Sequence, residues 1–218
     1  MNKYKLAVFD MDGTILDTLE DLKDSLNHCL CLHGFPERTL DEVRHFVGNG
    51  IRRTIEQAVP EGTSIETIDE IFKEFGDWYI DHCNEKTRPY DGIVDTIRIL
   101  REKGVLTAVV SNKGDAAVKE LSKLYYDGLF DVQVGERPGI KRKPWPDSVN
   151  EVLKALDVKK EDAVYIGDSE VDLKTAENAG LPCISVLWGF RDLEMLRKHG
   201  GTTFIDKPIE LVKLICES

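Results

Sequence analysis

Short apolar runs separated by longer stretches of helical periodicity organise this chain. Leu6 to Phe9, Val105 to Val110, Val132 to Val134, Val164 to Ile166 and Ile184 to Val186 are the runs. Their recurrence along the chain is what a parallel sheet needs. The helical segments between them supply the crossovers that such a sheet requires. Ile93 to Lys103 is one, closed by Gly104, glycine being common just past a helix C-terminus. The pattern predicts an α/β fold with a Rossmann-like parallel sheet.

The rhythm breaks once. Nearly a hundred residues separate the first run from the second, far more than one crossover helix needs. Within that interval Leu19, Leu22, Leu26 and Leu30 recur at helical spacing, and so do Ile65, Ile68, Ile71, Phe72 and Phe75. Val47-Gly48-Asn49-Gly50 opens a further helix, Ile51 to Val59, which Pro60 and Gly62 end. The expected organisation is a core of residues 1–16 and 85–218 carrying an inserted all-helical lid, residues 17–84. The stretch from Thr87 to Gly92 returns the chain to the core.

Composition narrows the function classes. With 218 residues, 41% of them hydrophobic, the chain buries a substantial core. The net charge of -11, with basic residues spread out apart from Lys141-Arg142-Lys143, argues against a nucleic-acid groove or an anionic membrane surface. The five cysteines form no CxxC pair, which favours reduced thiols over a disulfide framework or a zinc site. The chain opens without a signal-like segment, and no run reaches membrane-spanning length, so the expected compartment is the cytoplasm. Small-molecule chemistry is the expectation.

Four polar elements follow the apolar runs. Asp10-Met11-Asp12-Gly13-Thr14 ends the first; Ser111-Asn112-Lys113-Gly114 ends the second; Lys143-Pro144-Trp145-Pro146 lies in a loop; Gly167-Asp168-Ser169-Glu170-Val171-Asp172 ends the fourth. The carboxyl edge of an open α/β sheet is where ligands bind. Two carboxylates at a buried strand tip cost stability unless a cation meets them. Unit charges about 4 Å apart repel by roughly 4 kcal/mol at an effective dielectric of 20, so clustered acids call for a metal ion. Milder roles stand beside these: Asp168 and Asp172 as cap and first-turn acid of the next helix, Ser111 as a helix cap, Lys143 as part of a solvated basic turn with Lys141 and Arg142, and Lys113 as a surface lysine.

In that order and spacing, the four elements resemble the haloacid dehalogenase superfamily of phosphohydrolases, and the helical insert is similar to its C1 cap. Val47-Gly48-Asn49-Gly50 together with Arg88-Pro89-Tyr90-Asp91-Gly92 looks most like the phosphoglycolate phosphatase branch. The resemblance implies a nucleophile, Asp10, that forms an aspartyl-phosphate, and an acid/base, Asp12. It implies Lys143 as the charge-offsetting cation and Ser111 and Asn112, with the Gly13-Thr14 turn, as phosphate-binding groups. Mg²⁺ would be held by Asp10, the Asp12 carbonyl and Asp168, with Asp172 in or supporting the ligand set. Arg52, at a helix start after the glycine bend, is a candidate for a second anionic group on the substrate.

The implied reaction is hydrolysis of a small phosphate monoester, 2-phosphoglycolate being the first candidate. Phosphomutases of the β-phosphoglucomutase type share the same groups, and pyrophosphate and sugar phosphates remain open as substrates. Asp12 argues against dehalogenation, which needs no leaving-group acid. A non-catalytic phosphate binder would lack one of these groups, and none is missing. The partner expected is a phosphorylated metabolite, and the oligomeric state is not legible.

Overall fold

A computed structural model describes residues 2–217. In chain order the elements are β1 (Leu6–Phe9), β2 (Leu16–Asp17), α1 (Leu19–Leu32), α2 (Leu40–Phe46), α3 (Ile51–Ala58), α4 (Ile65–His82) and β3 (Arg88–Pro89). There follow α5 (Ile93–Glu102), β4 (Leu106–Gly114), α6 (Asp115–Tyr126), β5 (Val132–Glu136), α7 (Asp147–Ala155) and β6 (Ala163–Gly167). The chain closes with α8 (Glu170–Ala179), β7 (Cys183–Val186), α9 (Leu193–Lys198), β8 (Phe204–Ile205) and α10 (Glu210–Cys216). The described chain divides into two compact units, 2–16 with 89–217 and 17–88.

The first unit is built on a six-stranded sheet in the order β5-β4-β1-β6-β7-β8, parallel at every pairing. Every residue of β1 is fully buried, as a central parallel strand covered on both faces requires. One face packs Leu6, Val8, Val110, Val149, Val152 and Ala176 into a continuous apolar layer. The α/β sheet expected from the runs is present, with an added edge strand, β8, whose two residues are too few to register as a pattern.

Register sets the position of the polar elements. Phe9 lies opposite Val109 on one side and Ile166 on the other. Asp10 therefore follows that line by one residue, and Ser111 and Asp168 follow it by two. All three belong to the same carboxyl edge. β4 continues past Val110 to Gly114, with its pairing to β5 shifted between those residues.

The second unit is all helical apart from the short strand residues at its ends. α1 packs on α4 and α2, and α3 packs on α2 and α4. Thr39 caps α2 in a reciprocal pair with Glu42, satisfying backbone donors at both positions. This seven-residue helix buries only Val43, so no apolar stripe announces it in the sequence. The unit extends four residues beyond the expected 84 because buried Asp21 accepts the backbone N–H groups of Lys86, at 2.9 and 3.0 Å, and Thr87, at 2.8 Å. Those bonds attach residues 85–88 to α1. Among the described residues, no helix is long and apolar enough to cross a membrane.

Candidate active site

The carboxyl edge of the sheet gathers a buried set of charges. Asp10, Asp168 and Asp172 are 7%, 1% and 0% exposed, and their oxygens come within 4.8 Å of one another. Lys143, 3% exposed, places Nζ 2.7 Å from Asp10 Oδ1 and 2.8 Å from Asp172 Oδ1. The milder reading of Lys143 as a solvated turn residue is thereby excluded. Three carboxylates facing one ammonium leave two negative charges over, which one divalent cation balances.

The acids respond to this surplus differently. Burial, then the charge of Asp172, pushes the Asp10 carboxyl well above its ordinary range, with Lys143 opposing. Burial and Asp172 likewise push Asp168 up to about 7. Asp172 goes the other way: burial opposes its ionisation, but the charge of Lys143 and hydrogen bonds from Lys143, Ser169 and Tyr165 hold it down. Lys143 is held firmly protonated, because Asp10 and Asp172 outweigh its own desolvation. A hard, oxygen-binding cation such as Mg²⁺ fits the surplus and the donor set.

Asp172 is expected among the metal ligands, yet its two oxygens already accept five donors. Oδ1 takes Lys143 Nζ at 2.8 Å and Tyr165 Oη at 3.1 Å. Oδ2 takes the backbone N–H groups of Asp168 and Ser169 at 3.2 and 3.1 Å and Ser169 Oγ at 2.6 Å. Asp172 lies within the acidic cluster, but its lone pairs are committed to holding the loop and the lysine. Its reciprocal cap with Ser169 also starts α8, so the capping role and the site role coexist.

The polar groups of the Gly13-Thr14 turn, expected to bind phosphate, bond within the protein in this structure. Gly13 N–H donates to Leu16 O at 2.9 Å, and Thr14 Oγ1 donates to Asp168 Oδ1 at 2.9 Å. Gly13 serves by its small size: at φ +83° a Cβ there would stand 2.4 Å from Asp168 Oδ2, too close for any side chain. The Asn112 side chain is likewise spent on structure. Its Oδ1 accepts Lys143 N–H at 2.8 Å and its Nδ2 donates to Lys143 O at 3.1 Å. This two-way amide bridge ties the lysine loop to β4.

Ser111 is 5% exposed, and its Oγ accepts Lys113 N–H at 3.2 Å. Asp12 is only partly buried and pairs with Lys113 Nζ at 3.2 Å. The Lys113 side chain is 4% exposed, which excludes the surface role that the sequence leaves open for it. Its position two residues beyond Ser111 was the available signal, because alternate residues of a strand share a side. Tyr165 gave no such signal: it reads as one more apolar position of β6, yet its hydroxyl touches both Lys143 and Asp172. Arg52 lies in the helical unit, on α3, with its guanidinium paired to Asp69 and Glu56.

Known proteins share this architecture. The sequence profile described as "Haloacid dehalogenase-like hydrolase" matches residues 7–186. A curated protein of Mesorhizobium japonicum named "Phosphoglycolate phosphatase" is 34% identical over 86% of this chain and 84% of its own length. A protein of the same name from Aquifex aeolicus is 31% identical over 97% of this chain and 96% of its own. A crystal structure from Lactobacillus delbrueckii subsp. bulgaricus superposes with a TM-score of 0.95 at 39% identity, covering 99% of this chain and 100% of that one.

Proposed function

Because this chain belongs to the haloacid dehalogenase-like hydrolase family, we propose that it is a Mg²⁺-dependent phosphatase acting on a small phosphate monoester, 2-phosphoglycolate first among them. The observation that carries the proposal is the buried Asp10–Lys143–Asp172 chain beside Asp168. It holds a carboxylate at a strand tip next to one fixed ammonium with two charges unmatched. The curated relatives named above support the choice of substrate.

In this mechanism Asp10 attacks phosphorus and forms an aspartyl-phosphate. Its Oδ1 is held by Met11 N–H at 2.7 Å and by Lys143, which leaves Oδ2 for attack. Lys143 offsets the charge of the transferring group, and the Ser111 hydroxyl binds one of its oxygens. Asp12 protonates the leaving oxygen and then takes a proton from the water that opens the acyl phosphate. Lys113, 3.2 Å from Asp12, orients that side chain and pairs with it once it has given up its proton. Asp10, Asp168 and the Asp12 carbonyl would hold Mg²⁺, with Asp172 as their support. The cation supplies positive charge against the phosphoryl oxygens.

Residues 17–88 are the cap of this reading. The test is phosphate release from 2-phosphoglycolate, sugar phosphates, pyrophosphate and nucleotides, with Mg²⁺ and with chelator, beside Asp10→Asn. A strong Mg²⁺-dependent preference for 2-phosphoglycolate supports the proposal in full. A preference for another ester keeps the mechanism and replaces the substrate. Turnover by Asp10→Asn at the wild-type rate overturns the mechanism.

A further inference from the structure

Asp168 is oriented by a loop that lies outside the four sequence motifs. Past β7 the chain runs Leu187-Trp188-Gly189-Phe190-Arg191, and Phe190 N–H donates to Asp168 Oδ2 at 2.8 Å. Gly189 permits that approach: a Cβ there would stand 2.3 Å from Asp168 Cβ and 2.5 Å from Gly13 O. Trp188 Nε1 donates to Thr14 O at 3.0 Å, and Thr14 Oγ1 holds the other oxygen of Asp168. Both orienting donors of Asp168 are thus linked to one short loop.

That loop is anchored by a pair of side chains. Arg191 Nε donates to Glu170 Oε2 at 2.9 Å, and its Nη2 donates to Oε1 at 3.4 Å. The side chains are 7% and 24% exposed. Glu170 is the first residue of α8 and follows Asp168 by two positions, while Arg191 directly follows Phe190. The pair therefore closes a ring through Asp168, Ser169, Glu170, Arg191 and Phe190. A two-bond arginine–carboxylate pair fixes angle as well as distance.

We propose that the Arg191–Glu170 pair is a positioning clamp that sets the affinity of the site for its divalent cation, by holding Phe190 N–H against Asp168. The clamp rests on the reading of Asp168 as a metal ligand. Arg191 and Glu170 are positioning residues that act through Asp168. Outer-shell partners of this kind change metal affinity by roughly 10- to 100-fold when removed.

The experiment is calorimetric titration of the full chain with MgCl₂ alone, for wild type, Arg191→Met, Arg191→Lys and Glu170→Gln, with circular dichroism as the check on folding. Arg191→Met and Glu170→Gln are expected to bind Mg²⁺ roughly tenfold more weakly, Arg191→Lys to fall between them and wild type, and kcat to return at saturating Mg²⁺. With the titration run at about pH 9, where Asp168 is ionised with or without the arginine, the sign for Arg191→Met separates mechanisms, since a merely electrostatic arginine repels the cation and its removal tightens binding. Tighter or unchanged binding in that variant overturns the clamp, as does a kcat loss that saturating Mg²⁺ leaves in place. If Arg191→Met does not fold, Arg191→Lys and Glu170→Gln decide, and wild-type affinity in both overturns the clamp. A wild-type chain that binds no Mg²⁺ overturns the metal reading and the clamp together, whereas binding that is equal in all variants overturns the clamp alone.

Discussion

Acidic residues do different work in the two units. In the helical unit each described ion pair has its compensation close by and near water. Asp24, for example, meets Lys86 at 2.5 Å and Lys23 at 2.9 Å. Burial opposes its ionisation, but the hydrogen bonds and charges of Lys86 and Lys23 together hold its carboxyl below the ordinary range. Even Asp21, 2% exposed, is satisfied by backbone N–H groups. At the sheet edge, by contrast, Asp10 and Asp168 are buried with their charge incompletely matched, and their carboxyls are pushed up. A surplus of buried charge of one sign destabilises a fold, and it persists where a ligand of opposite sign completes it.

The comparison is sharpened most by Asp10→Asn. Losing the nucleophile is expected to lower phosphate release by about 10⁴-fold or more, while thermal unfolding in chelator stays level or moves upward, because the variant removes a carboxylate that burial disfavours. A drop in Tm instead would break the claim that Asp10 is held at a cost. Lys143→Met should act oppositely on stability. It leaves Asp10 and Asp172 facing each other in the interior and is expected to cost about 3–5 kcal/mol by urea unfolding.

Next in size is the pH dependence of the metal-free protein. The Asp168 carboxyl rises from 3.8 to about 7 on folding, so its contribution is present below the unfolded value and lost as pH climbs through the folded one. In chelator, Tm should fall between about pH 5 and about pH 8, with Asp10 adding in the same direction. Excess Mg²⁺ should raise Tm, and more at the upper end of that range, where protons compete less for the ligands. A flat chelator profile would show that the surplus charge is compensated within the protein. The smallest effect belongs to the helical unit. Arg53→Ala, which removes an exposed pair with Glu56, should leave both Tm and turnover unchanged, since such pairs contribute little.

The strands and the site were unequally legible. β1 and β6 stand out as continuous apolar runs, because central strands covered on both faces have no polar side to blur them. The short elements, α2 and β8, bury too few residues to print a period. At the site, Asp10 and Asp168 were readable by position after strands, Lys143 and Asp172 by the ordered motifs they belong to, and the structure brings the four together. Thr14, Gly13 and Asn112 were readable as neighbours of the site, but their individual bonds were not, because the tertiary fold turns their polar groups inward onto Asp168, Leu16 and Lys143.

What the sequence determined by itself is the architecture and the chemical class. Hydrophobic period, the long interval after β1 and the four ordered polar elements are local, and local patterns survive in a linear string. Only the tertiary structure decided which polar atom serves which. A hydroxyl or carboxylate bonds to whatever the fold sets within about 3 Å. Tyr165 on Lys143 and Asp172, Lys113 on Asp12, and Arg191 reaching back to Glu170 each join positions between 7 and 101 residues apart, and no spacing rule encodes such contacts.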